Sequence, residues 1–242
     1  VVNFCFKKNK KLLPVVFLHI QKTAGSSIVD LARKYYGDSV ISHGDYSGIR
    51  AECFQKVNFV SGHFGYEFAR HLMPGRFSFT FLRDPVQRVL SFYHYCKKQN
   101  PNDFEPYRLA QELSIEGFLE YALKPNTLKT AVCNNQAWQL AHGYGHGTDR
   151  NYYSFGEAEM QDLAVAHLEK LSHVGFTETF EDDRSFILTK LGIPVPEVNE
   201  ITNASGYRPS VNDLSGLAVE LLEEVTRIDQ TLYSYAWSIR KP

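Results

Sequence analysis

Val15-Val16-Phe17-Leu18-His19-Ile20-Gln21-Lys22-Thr23-Ala24-Gly25-Ser26-Ser27 sets a short apolar run directly before a lysine, small residues and hydroxyls. The run reads as a buried strand, and Gly25-Ser26-Ser27 as the start of a helix. The first turn of a helix leaves backbone N–H groups without intrahelical partners, so a strand, loop and helix in this order can cradle a phosphate. The expected cradle is the backbone of Thr23, Ala24, Gly25, Ser26 and Ser27. Gly25 permits close approach, Thr23, Ser26 and Ser27 offer hydroxyl donors, and Lys22 adds a mobile positive charge. A triphosphate loop would follow the longer G-x-x-x-x-G-K-[ST] pattern, with its lysine just before the hydroxyl that meets magnesium. Here the glycine follows the lysine.

A second stretch repeats the arrangement: Phe77-Ser78-Phe79-Thr80-Phe81-Leu82-Arg83-Asp84-Pro85-Val86-Gln87-Arg88-Val89-Leu90-Ser91-Phe92-Tyr93. A strand ends near Leu82, Pro85 suits the first turn of a helix, and Ser91 lies further along that helix. Arg83 offers a planar fork of donors and Ser91 a neutral hydroxyl, a pair suited to a terminal phosphate monoester. Between the two stretches, Val57-Asn58-Phe59-Val60-Ser61-Gly62-His63 reads as a third strand. His63 then emerges at the strand edge where open α/β sheets place ligand-facing groups.

The lysine-first loop resembles the 5′-phosphosulfate loop of sulfotransferases that use 3′-phosphoadenosine 5′-phosphosulfate (PAPS). It is most similar to the heparan sulfate 2-O- and 6-O-sulfotransferase-like branch, which carries a His-Ile-x-Lys-Thr-x-Gly-[ST]-[ST] run. The resemblance implies a P-loop-like phosphosulfate-binding loop at Lys22 to Ser27 and 3′-phosphate contacts from Arg83 and Ser91. It implies His63 as the base that takes the acceptor's hydroxyl proton, a task that suits an imidazole. Lys22 would stabilise charge on the leaving phosphate during an in-line transfer that releases 3′-phosphoadenosine 5′-phosphate (PAP), and would also partner Ser91. Asn134-Asn135-Gln136-Ala137-Trp138-Gln139-Leu140 is similar to a helix that flanks the site in this branch, and Val174 to Glu181 to a scaffold junction. Arg208, in Ile201 to Pro209, would close over adenosine or the 3′-phosphate.

Trp138 has two readings, an aromatic that stacks on a base or sugar face and a packed core position, the second expected first. His19 interrupts the first strand and is expected as a neutral histidine at the core edge, bonded to backbone. His142 and His146 flank a glycine-rich stretch that could approach acceptor or donor. Cys5, Cys53, Cys96 and Cys133 lack paired metal-ligand spacing, so no metal is expected.

At 242 residues and 43% hydrophobic content, one α/β domain is expected, with a central, mainly parallel sheet flanked by helices. Strands are predicted over 14–20, 38–41, 57–62, 77–82 and 173–176. Helices are predicted over 25–36, 64–72, 86–98, 158–171 and 179–191, and a last one from near Val211 towards Tyr235. Residues 99–150 read as a helical and loop insertion near the acceptor site.

Positions 1–100 hold 15 basic against 6 acidic residues, a formal +9, and positions 101–242 hold 11 against 21, a formal -10. The basic half suits a donor with several negative charges. No nucleic-acid partner is expected. No apolar stretch is long enough to span a membrane, which favours a cytoplasmic setting, or the Golgi lumen if an anchor preceded Val1. The leading expectation is a PAPS-dependent O-sulfotransferase whose hydroxyl-bearing acceptor is a glycan. A small hydroxylated metabolite is the alternative acceptor, and a kinase-like enzyme or a non-catalytic nucleotide- or glycan-binding protein the alternative classes.

Overall fold

Strand β1, Val15–Leu18, is buried at all four positions. It forms the middle of a five-stranded sheet of order β2-β3-β1-β4-β5, with β2 at Val40–Ile41, β3 at Phe59–Gly62, β4 at Phe77–Leu82 and β5 at His173–Phe176. Every pairing is parallel; Val15 lies opposite both Phe59 and Phe77. Parallel sheets are covered on both faces; β1 accordingly reads as an unbroken apolar run, while β3 and β4 bury Ser61, Ser78 and Thr80 among their apolar residues. The computed structural model describes residues 12–144, 156–195 and 213–240.

Alternation along β1 divides the core. Val15 and Phe17 face helix α1, Gly25–Tyr36, and helix α9, Phe180–Leu191, where Phe17 stacks on Phe79 at 4.4 Å between ring centroids. Val16 and Leu18 face the other way. They pack with residues of α2 (Tyr66–Ala69), α7 (Asn135–Ala141), α8 (Glu157–Leu168) and α10 (Gly216–Ser238). A third apolar cluster joins α3 (Pro85–Cys96), α4 (Glu105–Glu112), α5 (Ile115–Leu123) and α6 (Thr127–Val132) to the start of α10. The segment 99–144 thus holds α4 to α7, and all seven residues of α7 are buried.

Local chemistry sets the helix ends. The Asp84 carboxylate accepts from Gln87 N at 2.8 Å, with Pro85 next in the chain, so α3 begins one residue before its predicted start. Helix α2 is much shorter than the predicted 64–72. The Gly65 N–H is committed to the Tyr144 carbonyl, and Phe64 bridges Tyr144, so this backbone runs alongside 142–144 before it can coil. Helix α10 starts at Gly216, where Ser215 Oγ accepts from Ala218 N at 3.1 Å; the predicted start at Val211 lies outside the described residues. Among the described residues, no helix is long and apolar enough to cross a membrane.

Candidate active site

The sheet order reverses at β1. From β1 the chain turns towards β2 and β3, and from β4 it turns towards β5, so the loops after β1 and β4 open a crevice between them. Both loops carry residues singled out from the sequence.

After β1 the backbone takes left-handed conformations at Lys22 (φ 69°) and Ala24 (φ 64°). Neither residue is glycine, so the turn stores strain that its surroundings must hold in place. The brace is Thr23, fully buried, whose hydroxyl donates to Ile20 O at 2.8 Å. That hydroxyl proton is therefore committed to the loop and is not offered to the crevice. Helix α1 follows with Ala24 at its cap position, no capping side chain and no acid in its first turn. Its opening N–H groups, with the half-buried Ser26 and Ser27, form an anion-compatible end. A β-carbon at Gly25 would fall 2.3 Å from His19 Cδ2 and Nε2 and 2.8 Å from Phe17 Cζ. The close approach that demands glycine is thus the helix start against a histidine ring.

After β4, Arg83 is held by its backbone. Its N–H donates to Gln136 Oε1 at 3.0 Å, and Gln136 Nε2 donates back to Arg83 O at 2.9 Å. Glu178, from the junction between β5 and α9, accepts from Asp84 N at 2.9 Å and steadies the same turn. From this mount the Arg83 guanidinium crosses the crevice and donates to Lys22 O at 3.1 Å. Behind Gln136 stands the buried Asp229, accepting from Gln136 N at 3.2 Å and Ala137 N at 2.7 Å. Burial pushes the Asp229 carboxyl up to about 6 against the pull of Arg88 and these N–H groups. Arg88 is itself buried on α3, donating to Ala131 O and Val132 O at 3.0 Å and to Asn135 Oδ1 at 3.2 Å.

The Lys22 ammonium lies 4.0 Å from the centroid of the Tyr95 ring on α3. Burial, then the Arg83 charge, lowers Lys22 to about 8. Ser91, half-buried, precedes Tyr95 by one helical turn and so shares its face of α3.

His63 directly follows β3, and its Nδ1 lies 2.8 Å from His19 O. A carbonyl oxygen only accepts, so Nδ1 carries the proton and Nε2 of the neutral ring keeps its lone pair. Gln139 Nε2 also donates to His19 O, at 3.2 Å, and to Phe64 O at 2.9 Å, which ties α7 to both strand ends. Burial drives His63 down to about 4; the bond to His19 O opposes this, while His43 and Lys22 add to it. His63 is thus neutral at pH 7.

His43 escapes the sequence reading. Its ring centroid lies 5.6 Å from that of His63 and 5.7 Å from that of His19, and its carbonyl accepts from His63 N at 3.1 Å. The signal was its place two residues beyond a strand, the logic applied to His63. His19 is buried and held neutral as expected, by desolvation first. Its bonding differs from expectation: ring Nδ1 has no hydrogen-bond partner, and the backbone carbonyl carries the contacts. These three histidines form no metal site, and no His, Cys, Asp and Glu cluster among the described residues is suited to one.

Trp138 is packed in the core, edge-on to Tyr144 at 4.6 Å. His142 closes α7, buried, with its carbonyl accepting from Glu67 N. His146 and Arg208 lie outside the described residues.

A family model described as "Sulfotransferase family" matches residues 4–236. The chain belongs to the sulfotransferase family. One solved sulfotransferase shares the fold: the mouse sulfotransferase SULT7A1 complexed with PAP is 12% identical, with 92% of this chain and 89% of that chain covered, at a TM-score of 0.50. A sulfotransferase from Alicyclobacillus acidocaldarius is 14% identical over 93% of this chain and 95% of that one, at a TM-score of 0.45. Curated protein sequences give no match. In this sulfotransferase the crevice between β1 and β4 gathers Lys22, Arg83 and the uncapped start of α1, while His63 stands at the end of the adjacent β3.

Proposed function

We propose that this sulfotransferase moves the sulfuryl group of PAPS to a hydroxyl of an acceptor, with His63 as base and Lys22 as the charge that meets the departing phosphate. The observation that carries the reading is the Arg83 Nη1 to Lys22 O bond of 3.1 Å. It joins two anion-compatible loops at one crevice, as a donor with phosphate groups at both ends of a nucleoside requires. The residues fit such a donor: the first-turn N–H groups of α1 from Gly25 to Ser27 and the N–H groups of Thr23 and Ala24 suit the 5′ end, Arg83 and Ser91 the 3′-phosphate. Arg208 is assigned to the adenosine side on the resemblance alone.

In this reading PAPS supplies the sulfuryl group. His63 Nε2 takes the acceptor's hydroxyl proton as the new O–S bond forms, in line with the S–O bond that breaks. Lys22 stabilises the charge that develops on the released PAP oxygen. A neutral base and a positive lysine in a partly desolvated crevice provide both roles without further groups. The motif resemblance supports a glycan acceptor over a small hydroxylated metabolite.

Calorimetry with PAP tests the donor assignment. Native protein should bind it, and Arg83→Ala should weaken binding about tenfold to hundredfold, as removal of a charge-assisted contact does. Native-like binding by the variant would remove Arg83 from the site.

A further inference from the structure

Lys22 is the one residue of the β1 loop whose charge has a defined resting place. Its Nζ sits 4.0 Å from the centroid of Tyr95, near the end of α3. That face is not a passing contact of two mobile side chains. The Tyr95 ring packs edge-on against Tyr107 of α4 at 6.0 Å, and Tyr107 packs in turn against Phe104 at 5.4 Å. Burial first, then the neighbouring Tyr95, pushes the Tyr107 hydroxyl up to about 12. The Tyr95 carbonyl accepts from Gln99 Nε2. Tyr95 remains 39% exposed.

We propose that Tyr95 is a positioning residue for Lys22: the ring face, braced by Tyr107 from helix α4, holds the ammonium against α3 one turn beyond Ser91 and sets where that charge stands before a donor binds. An ammonium over a tyrosine face is attracted by the ring quadrupole, and the attraction grows where water is excluded. A lysine left free on its four-carbon stem would sample many rotamers. The catalytic part of this inference rests on the sulfuryl-transfer reading above; the pairing of Lys22 with Tyr95 does not.

The test uses protein carrying ¹³C-labelled lysine side chains, with the Lys22 signal assigned by its loss in Lys22→Arg. In native protein the ε-methylene protons of Lys22 should show an upfield ring-current shift. Tyr95→Leu should abolish that shift, whereas Tyr95→Phe, which keeps the ring face and loses only the hydroxyl, should retain it. Sulfuryl transfer from PAPS should fall about tenfold in kcat for Tyr95→Leu with a smaller change in KM, and Tyr95→Phe should recover most of the loss. A Lys22 signal unmoved in Tyr95→Leu, or a Tyr95→Phe protein as impaired as Tyr95→Leu, would overturn the proposal. Should native protein transfer no sulfuryl group, the donor reading fails while the spectrum still judges the pair.

Discussion

His63 Nδ1 lies 2.8 Å from the carbonyl oxygen of His19, so the end of β1 fixes the tautomer of a histidine at the end of β3. The same carbonyl receives Gln139, and the base candidate is therefore oriented by two elements besides its own.

The pH profile follows. His63 is held down to about 4 by burial first, and Lys22 down to about 8 by burial and Arg83. Protonated His63 cannot accept a proton and neutral Lys22 cannot stabilise an anion, so activity is lost as pH falls through about 4 and as pH rises through about 8. A plot of kcat/KM against pH should show these two limbs. An acid limb near the ordinary histidine value of 6.5 would contradict the buried environment assigned to His63.

Gln136→Leu removes both bonds to the Arg83 backbone in a buried position. A loss of about 1–3 kcal/mol in unfolding stability is expected, read from the denaturant midpoint. PAP affinity should fall in parallel, although Gln136 is assigned no contact with the ligand. Stability loss with unchanged affinity would show that Arg83 needs no such mount.

Gly25→Ala puts a methyl 2.3 Å from the His19 ring. Overpacking of this kind costs about 1–3 kcal/mol. Combined with His19→Ala, the two effects should be non-additive by at least about 0.5 kcal/mol, because the second change removes the ring that the methyl strikes. Strict additivity in thermal unfolding would place the two residues apart.

Arg88→Met strips the buried acceptors Ala131 O, Val132 O and Asn135 Oδ1 of their donor and removes the positive charge that opposes the rise of the Asp229 carboxyl. The loss should reach about 1–3 kcal/mol at pH 7, the cost of leaving buried acceptors without a partner. Asp229 is raised to about 6 in the folded protein from an ordinary 3.8, mainly by burial. The folded state therefore binds the proton more tightly, and this group's contribution to stability is present below about 3.8 and declines as pH rises to about 6. Asp229→Asn should flatten that part of the stability curve; an unchanged slope would contradict the raised carboxyl.

The sheet was legible because its strands are short, mainly apolar stretches buried on both faces, and Val15–Leu18, Phe59–Gly62 and Phe77–Leu82 fall inside the predicted strands. The C-terminal ends of parallel strands lie along one side of the sheet, so the residues that follow β1, β3 and β4 (Lys22, His63 and Arg83) fall on that side. The supports were not legible in this way. Gln136 reaches Arg83 across 53 positions, Gln139 reaches His19 across 120, and Asp229 reaches Ala137 across 92, and side-chain bonds of such range leave no local periodicity. His43 follows a strand of only two residues, too short to mark its end clearly. Thr23 illustrates the remaining gap: a hydroxyl in a phosphate-compatible loop reads as a ligand donor, yet here it braces the loop.

The most direct test of the account is the transfer of labelled sulfate from PAPS to a panel of glycans, phenols and hydroxylated metabolites, comparing native protein with His63→Ala. Labelled product is expected with native protein, and a loss of about 10²–10⁴ in turnover for the variant while PAP binding holds within about twofold. Native-like turnover by His63→Ala would contradict the base assignment, and a native protein that binds PAP yet labels nothing across the panel would contradict the activity itself.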